Sequence, residues 1–354
     1  MARRAAAPKE DLPEPDRIEG HPHPRQTFRL TGQDAALTIA ARAIRSGRPP
    51  QAWLISGPPG IGKATLAYRI ARYLLAFGAS AKGPQDLSVP EKDGVTLQVT
   101  AGAHPGLLVL KRAVNDRTGK LMTVLSVDEV RKLSGFFGMT SGAGGWRVAI
   151  IDTADDMNDA AANALLKMLE EPPANAMLLL LTNAPGRLLP TIRSRCQRLQ
   201  LRPLDDADLV RELDARLPDM KPAERKALVQ IAGGSLGLAL QLSNGDGLEL
   251  ARDAAKLIDG AANPDIPAIV ALADRVNRMT DGLDTLGEFL AQALSDRIRQ
   301  KAHAGAPNLD RWTTAWEMSR ESIERTTGLH LEPRQTLLGI SRALSSAARR
   351  SGAV

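Results

Sequence analysis

The stretch Trp53 to Leu66, WLISGPPGIGKATL, decides the fold. An apolar strand runs into Gly57-Pro58-Pro59-Gly60-Ile61-Gly62-Lys63-Ala64, and the helix-forming ATLAYRIARYLL follows. This is the spacing of the phosphate loop G-x-x-x-x-G-K-[ST]. In that loop glycines turn backbone N–H groups toward phosphate, the lysine reaches the β and γ phosphates, and the final hydroxyl holds Mg²⁺. The strand before it and the helix after it are the context that such a loop requires. The hydroxyl position here is Ala64. The stretch therefore predicts a phosphate cradle built on Gly57, Gly60, Gly62 and Lys63, without its usual metal ligand.

Outward from the loop, Thr31 to Ser46 has apolar residues at helical spacing and stops at Gly47, ahead of Pro49 and Pro50. It reads as a helix leading into a strand over Ala52 to Ser56, with a second helix over Lys63 to Leu75. Gly78 to Gly94, rich in Gly, Pro and Ser, reads as a surface connection. Leu107 to Lys111, Trp146 to Ile151, Met177 to Thr182 and the shorter Gln197 to Leu201 predict further strands. Between them fall a turn at Asp116 to Lys120 and a capping box, Ser126-Val127-Asp128-Glu129, opening a helix through Leu133. An Ala- and Leu-rich helix over Asn158 to Glu171 is capped by Asn158 and closed by Pro172-Pro173.

This alternation predicts an α/β P-loop fold, with a parallel sheet covered on both faces. Ligands belong at the carboxyl ends of such strands, where the phosphate loop, Asp152 and Thr182-Asn183 fall. From Pro203 the character changes to short helices over Asp205 to Leu217, Pro222 to Ala232 and Leu236 to Ser243, then to longer amphipathic ones. The expected organisation is a flexible tail at 1–26, the α/β domain at 27–203, a small helical lid at 204–245 and an all-α carboxy-terminal domain at 246–354.

At 354 residues the chain can bury two or three separate cores. Its single cysteine, Cys196, can neither close an internal disulfide nor hold zinc alone, so a reducing, cytoplasmic setting is expected and Cys196 reads as a small buried hydrophobe. No stretch has the apolar length of a signal core or a membrane helix. A net charge of +6 and a pI near 9.6 suit work close to nucleic acid, whereas 3% aromatics argues against base stacking as the main mode of contact. His21 and His23 read as incidental residues of the tail, and His104, before Pro105, as shaping the approach to the next strand.

A competent phosphate-loop ATPase also needs an acidic pair after a later strand, one carboxylate near Mg²⁺ and one polarising the attacking water. Here the strand ends in Ile150-Ile151-Asp152-Thr153-Ala154-Asp155. Asp152 suits the metal, but Thr153 stands where the second carboxylate belongs, and a hydroxyl of ordinary acidity is a poor general base. Asp155 and Asp156 could stand in for that carboxylate by geometry, but they also fit a solvated turn before the next helix, which is the preferred reading.

The run GGWRVAIIDTADDMNDAAANALLKMLEEPP (Gly144 to Pro173), then Ala184-Pro185 and LLPTIRSRCQRL (Leu188 to Leu199), resembles the clamp-loader branch of the AAA+ ATPases. The likeness covers about Gln26 to Leu240, and LLKMLEEPP and SRC occurring together behind a phosphate loop make it specific. The family's hydrolysing members end the loop in Ser or Thr, carry the strand-end Glu and place a sensor arginine after a Gly-Ser pair in the lid. The corresponding residues here are Ala64, Thr153 and Gly237. What the resemblance keeps is Arg195, which in this family reaches across a subunit boundary as an arginine finger, while Arg193 beside it carries no role. Some members hold a four-cysteine zinc module, and this chain has no cysteine before Cys196.

The resemblance thus implies a subunit of the DNA polymerase III holoenzyme, a nucleotidyltransferase assembly, with no catalysis of its own. It would complete a hetero-oligomeric loader ring beside ATPase subunits and a clamp-opening subunit, joined by a carboxy-terminal collar. It would supply Arg195 in trans, act on the sliding clamp indirectly and meet primed DNA through backbone phosphates. No cofactor is required, zinc is not expected, and the loop with Asp152 allows weak ATP binding. Two other readings stand beside this one: a self-sufficient AAA+ ATPase (the loader's motor subunit or a branch-migration motor), and a scaffold in which Arg195 is inert.

Overall fold

The computed structural model describes residues 17–114, 122–138, 145–279, 282–306, 309–329 and 331–349. The turn expected at Asp116 to Lys120 and residues 1–16 of the expected tail lie outside them. Two compact units are present, Met1–Gln241 and Leu242–Val354.

The first unit is built on five parallel strands, β1 Ala52–Ser56, β2 Leu107–Leu110, β3 Arg147–Ile151, β4 Ala176–Thr182 and β5 Gln197–Gln200, in the order β2-β3-β4-β1-β5. Every residue of β1 and β4 is buried. Such strands read as unbroken apolar runs because helices cover both faces of the sheet. Trp53, Ile55, Val148, Ile150 and Leu179 pack on one face with α1 (Asp34–Arg45) and α2 (Lys63–Phe77). Leu54, Ala149, Ile151, Leu178 and Leu180 pack on the other with α4 (Val127–Gly138) and α5 (Asp159–Glu170). The edge strand β5 alternates instead, with Leu199 buried between exposed Arg198 and Gln200.

Expected caps are in place: the Asn158 side chain accepts from the Ala161 N–H, and His104 Nδ1 accepts from the Gly106 N–H at the approach to β2. The sequence reading missed a short helix, α3 (Gly94–Thr100), opened by the Asp93 side chain accepting from the Val95 N–H. Its Val-Thr-Leu-Gln-Val-Thr run carries β-branched residues that weaken the helical signal. The connection before it is not all surface, since Leu87 is fully buried.

A larger correction concerns the amino-terminal segment. The expected tail extends to residue 26, yet His23 is 2% exposed and caps a single 3-10 turn, Pro24–Gln26. From α2 the buried Arg72 donates to the carbonyls of Arg25 (3.0 Å) and Thr27 (3.2 Å), with its guanidinium 4.7 Å from the Phe28 ring centroid. The partner that holds this polar, proline-containing segment lies 47 residues downstream, where no local pattern announces it. Burial lowers the Arg72 pKa to about 10, so the side chain stays charged at neutral pH.

After β4 come α6 (Pro190–Arg195) and, beyond β5, α7 (Asp206–Arg216), α8 (Pro222–Ala232) and α9 (Leu236–Leu242). The second unit is helical among its described residues: α10 (Gly247–Asp259), α11 (Ile266–Val276), α12 (Gly282–His303), α13 (Leu309–Gly328) and α14 (Pro333–Arg349). Helix α12 packs on α10 and α13, and α14 on α11 and α13. Buried Leu283, Leu286, Leu290 and Leu294 of α12, and Leu337, Ile340 and Leu344 of α14, recur at helical spacing. No helix among the described residues is long and apolar enough to cross a membrane.

Replacing Arg72 with Leu should cost about 2–4 kcal/mol, because two charge-assisted hydrogen bonds and a ring contact go together. Urea unfolding measures the loss, and limited proteolysis should show new cleavage near residues 23–28. Unchanged stability and an uncut segment would contradict this.

Candidate functional site

The phosphate loop leaves the carboxyl end of β1. The Gly57 N–H donates to the Thr182 carbonyl (3.2 Å) at the end of β4, and Gly62 caps α2. Lys63 is 7% exposed, and its Nζ donates to the carbonyls of Gly57 (2.8 Å) and Pro58 (2.7 Å) and to Asn183 Oδ1 (2.7 Å). Three ammonium protons thus meet three acceptors. Burial pushes the Lys63 pKa down to about 8, opposed by the negative charges of Asp152 and Asp155.

Asp152 follows β3, and its N–H donates to the Leu110 carbonyl (2.9 Å). Thr153, where a water-polarising carboxylate is expected, donates its hydroxyl to Asp156 Oδ2 (2.9 Å), which also faces Arg112 Nε at 3.3 Å. Asp155 is not part of a solvated turn. Its Oδ1 accepts from the Thr182 hydroxyl (2.5 Å) and its Oδ2 from the Asn183 N–H, so both oxygens fasten the end of β4. The correction has a simple cause, since β3 and β4 are neighbours in the sheet and their ends meet. With both oxygens taken, Asp155 holds Asn183 against Lys63 and is not placed as a base. Ala64 presents a methyl packed against the core where a metal-holding hydroxyl would stand. The residues present therefore do not fit Mg²⁺, which favours several oxygen donors in near-octahedral array.

At the start of α9, the Ser235 hydroxyl donates to the Pro59 carbonyl (2.8 Å) and the Gly237 N–H to the Gly60 carbonyl (2.8 Å). Gly60 has φ +74°, and a Cβ on Gly237 would sit 2.6 Å from Gly60 Cα. Two backbones touch here, and no side chain fits between them. At Gly237, where the resemblance leads one to expect a sensor arginine, the space is filled by the loop itself. Further fastening comes from Glu212 of α7, 3% exposed, which accepts from the Thr31 hydroxyl (2.6 Å) and pairs with Arg29 (3.2 Å) and Arg216 (3.3 Å). Gln33 exchanges two hydrogen bonds with the Arg202 backbone (2.7 and 3.2 Å). Sequence reasoning missed Asn183 as a Lys63 partner, and missed Glu212 and Gln33 altogether. Asn183 had a signal in its strand-end position, whereas the Glu212–Thr31 and Gln33–Arg202 contacts span 181 and 169 positions of the chain.

Arg195 ends α6, ahead of β5. Since Gln197 pairs with Trp53 near the start of β1, Arg195 lies at the amino edge of the sheet, whereas the phosphate loop lies at the carboxyl edge. Four or five strand residues put the two roughly 15 Å apart along the strands. Its Nη1 donates to the Thr191 carbonyl (3.1 Å) and its Nη2 to Glu170 Oε1 (2.9 Å), with the two side chains 37% and 50% exposed. Arg193 is half-buried, and the Cys196 thiol, pushed up to about 11 by burial, is inert as a nucleophile at neutral pH.

Residues 32–205, which hold both the loop and Arg195, match the family described as DNA polymerase III, delta subunit. The chain is 40% identical over 211 residues to the DNA polymerase III subunit delta' of Pseudomonas aeruginosa, covering 59% of this chain and 60% of that protein. Over the matched part, the chain is similar to DNA polymerase III delta-prime subunits. A second relative, the Escherichia coli K12 delta' subunit, is 37% identical over 205 residues, covering 58% of each chain. The chain thus spans about three fifths of the length of these delta-prime relatives. Among solved structures, a gamma-subunit-related protein of DNA polymerase III from Thermotoga maritima is 18% identical, covers 88% of this chain and 99% of that one, and has a TM-score of 0.42.

Two predictions follow from the loop. Replacing Gly237 with Ala should cost about 1–3 kcal/mol in urea unfolding, since the methyl forces α9 off the loop; a neutral effect would contradict the contact. For Lys63, the folded pKa lies near 8 and the unfolded one near 10.4, so between these values the unfolded chain holds more protons and stability rises with pH. Relative to Lys63→Met, the wild-type chain should gain about 2 kcal/mol between pH 8 and pH 10. A pH-independent difference would contradict the shift.

Proposed function

We propose that this chain is a delta-prime-type clamp-loader subunit of a DNA polymerase III holoenzyme that hydrolyses little or no ATP itself and lends Arg195 to a neighbouring ATPase subunit. The observation that carries the reading is the placement of Arg195: exposed, on an ordered helix end, at the sheet edge opposite the chain's own phosphate loop. From there it serves a nucleotide held by another subunit.

The mechanism follows from charge. A phosphoryl group in flight spreads negative charge over its equatorial oxygens, and a planar, permanently protonated guanidinium matches that charge with paired N–H donors. The chain's own loop lacks three parts at once: metal coordination at Ala64, water activation at Thr153 and the sensor arginine at Gly237. The glycine cradle and the Lys63 ammonium still suit a phosphate, so weak nucleotide binding without turnover is the fitting role, with Asp152 and Asn183 beside it. Anion binding needs Lys63 protonated, and affinity should fall as pH rises through about 8.

The proposed arrangement has residues 204–245 as a lid and 246–354 as a collar joining ATPase subunits and a clamp-opening subunit. The chain completes the ring, acts on the sliding clamp through it, and meets primed DNA at its phosphates. The scaffold reading draws support from one observation, the pairing of Arg195 with Glu170 in the same chain.

Arg195→Ala in the reconstituted loader separates the two. ATP turnover by the complex should fall by about 10³-fold or more with assembly intact. Unchanged turnover would favour the scaffold, and brisk Mg²⁺-dependent turnover by the purified chain alone would overturn the proposal from the other side.

A further inference from the structure

We infer that Glu170 is a positioning residue for Arg195, an inference that rests on the reading of Arg195 as a finger acting in trans. The geometry begins with two elements pinned to one core. Helix α5 returns from the carboxyl edge of the sheet to the amino edge and buries Leu165 and Leu169. Helix α6 buries Ile192 in the same apolar cluster. Their ends therefore cannot drift apart without opening the core, and each end carries one outward side chain, Glu170 and Arg195.

Between them the guanidinium is held at two points on different elements. Nη2 donates to Glu170 Oε1 at 2.9 Å and Nη1 to the Thr191 carbonyl at 3.1 Å. Two anchors fix the orientation of a planar fork where one would leave it free to swing. An unrestrained arginine would have to give up its rotamer freedom at the moment of phosphoryl transfer, whereas here part of that ordering is already in place. Both side chains remain over one-third exposed, so water screens the pair and it orients the finger without sequestering it. Only two of the guanidinium's five N–H groups are used by these anchors, which leaves donors for the triphosphate of a neighbouring subunit.

A finger contributes in the transition state, so misplacing it lowers kcat and spares KM. The test is ATP turnover by the reconstituted loader on primed DNA, comparing wild type, Glu170→Ala, Glu170→Gln and Arg195→Ala. Glu170→Ala should lower kcat by about 3–30-fold with KM for ATP within about twofold of wild type. Glu170→Gln, whose amide oxygen still accepts the Nη2 hydrogen bond, should recover most of the rate. Glu170→Ala at the wild-type or a higher kcat, with Arg195→Ala strongly impaired, would overturn the positioning role while leaving the finger intact. A rise in KM with unchanged kcat would overturn it too. Were Arg195→Ala itself to turn over like wild type, the finger reading would fail and this inference with it.

Discussion

The contact on which the rest of the first unit depends is the one between two glycine backbones, Gly60 in the phosphate loop and Gly237 in α9. A hydrogen bond of 2.8 Å joins them, and the Ser235 hydroxyl adds a second to Pro59. Close approach of this kind excludes any side chain at either position. The absent sensor arginine is therefore more than a lost charge, because the space that such a side chain would need belongs to the loop. Elsewhere Glu212 ties α7 to Thr31, Gln33 ties the start of α1 to Arg202, and Arg72 on α2 holds the segment at Arg25 and Thr27.

The two edges of the sheet divide the chemistry. At the carboxyl edge Lys63, Asn183 and Asp155 form a closed chain of hydrogen bonds, and Thr153 is engaged with Asp156. At the amino edge Arg195 and Glu170 stand outward on helix ends anchored in one core. At the carboxyl edge the charged groups Lys63 and Asp155 are engaged within the chain, whereas the amino edge presents charge to solvent. This division supports a subunit whose own nucleotide site is structural and whose contribution is made to a neighbour.

Much of this was legible in the sequence. Unbroken apolar runs such as Met177 to Thr182 announced buried parallel strands, and the Gly-Lys spacing placed the loop, because both signals are local. The curated delta-prime relatives agree with the resemblance drawn from LLKMLEEPP and SRC. What was hidden is long-range and polar. His23 was read as tail because the arginine that holds its segment lies on α2, and Asp155 as a turn because its partners sit on the next strand. Helix α3 was masked by its β-branched residues. A residue's neighbours along the chain report periodicity and caps; they do not report a buried carboxylate waiting for a hydroxyl two elements away.

The central claim, that Arg195 works on a neighbour's nucleotide while its own loop is structural, is tested most directly by a structure of the assembled loader with a phosphoryl-transfer analogue and Mg²⁺. The account predicts Arg195 within hydrogen-bonding distance of the analogue in the adjacent subunit, and the Gly60–Gly237 contact intact in this chain. An Arg195 still turned onto its own chain and remote from any nucleotide, or an analogue with Mg²⁺ seated at Lys63 and Asp152 behind a displaced lid, would contradict it.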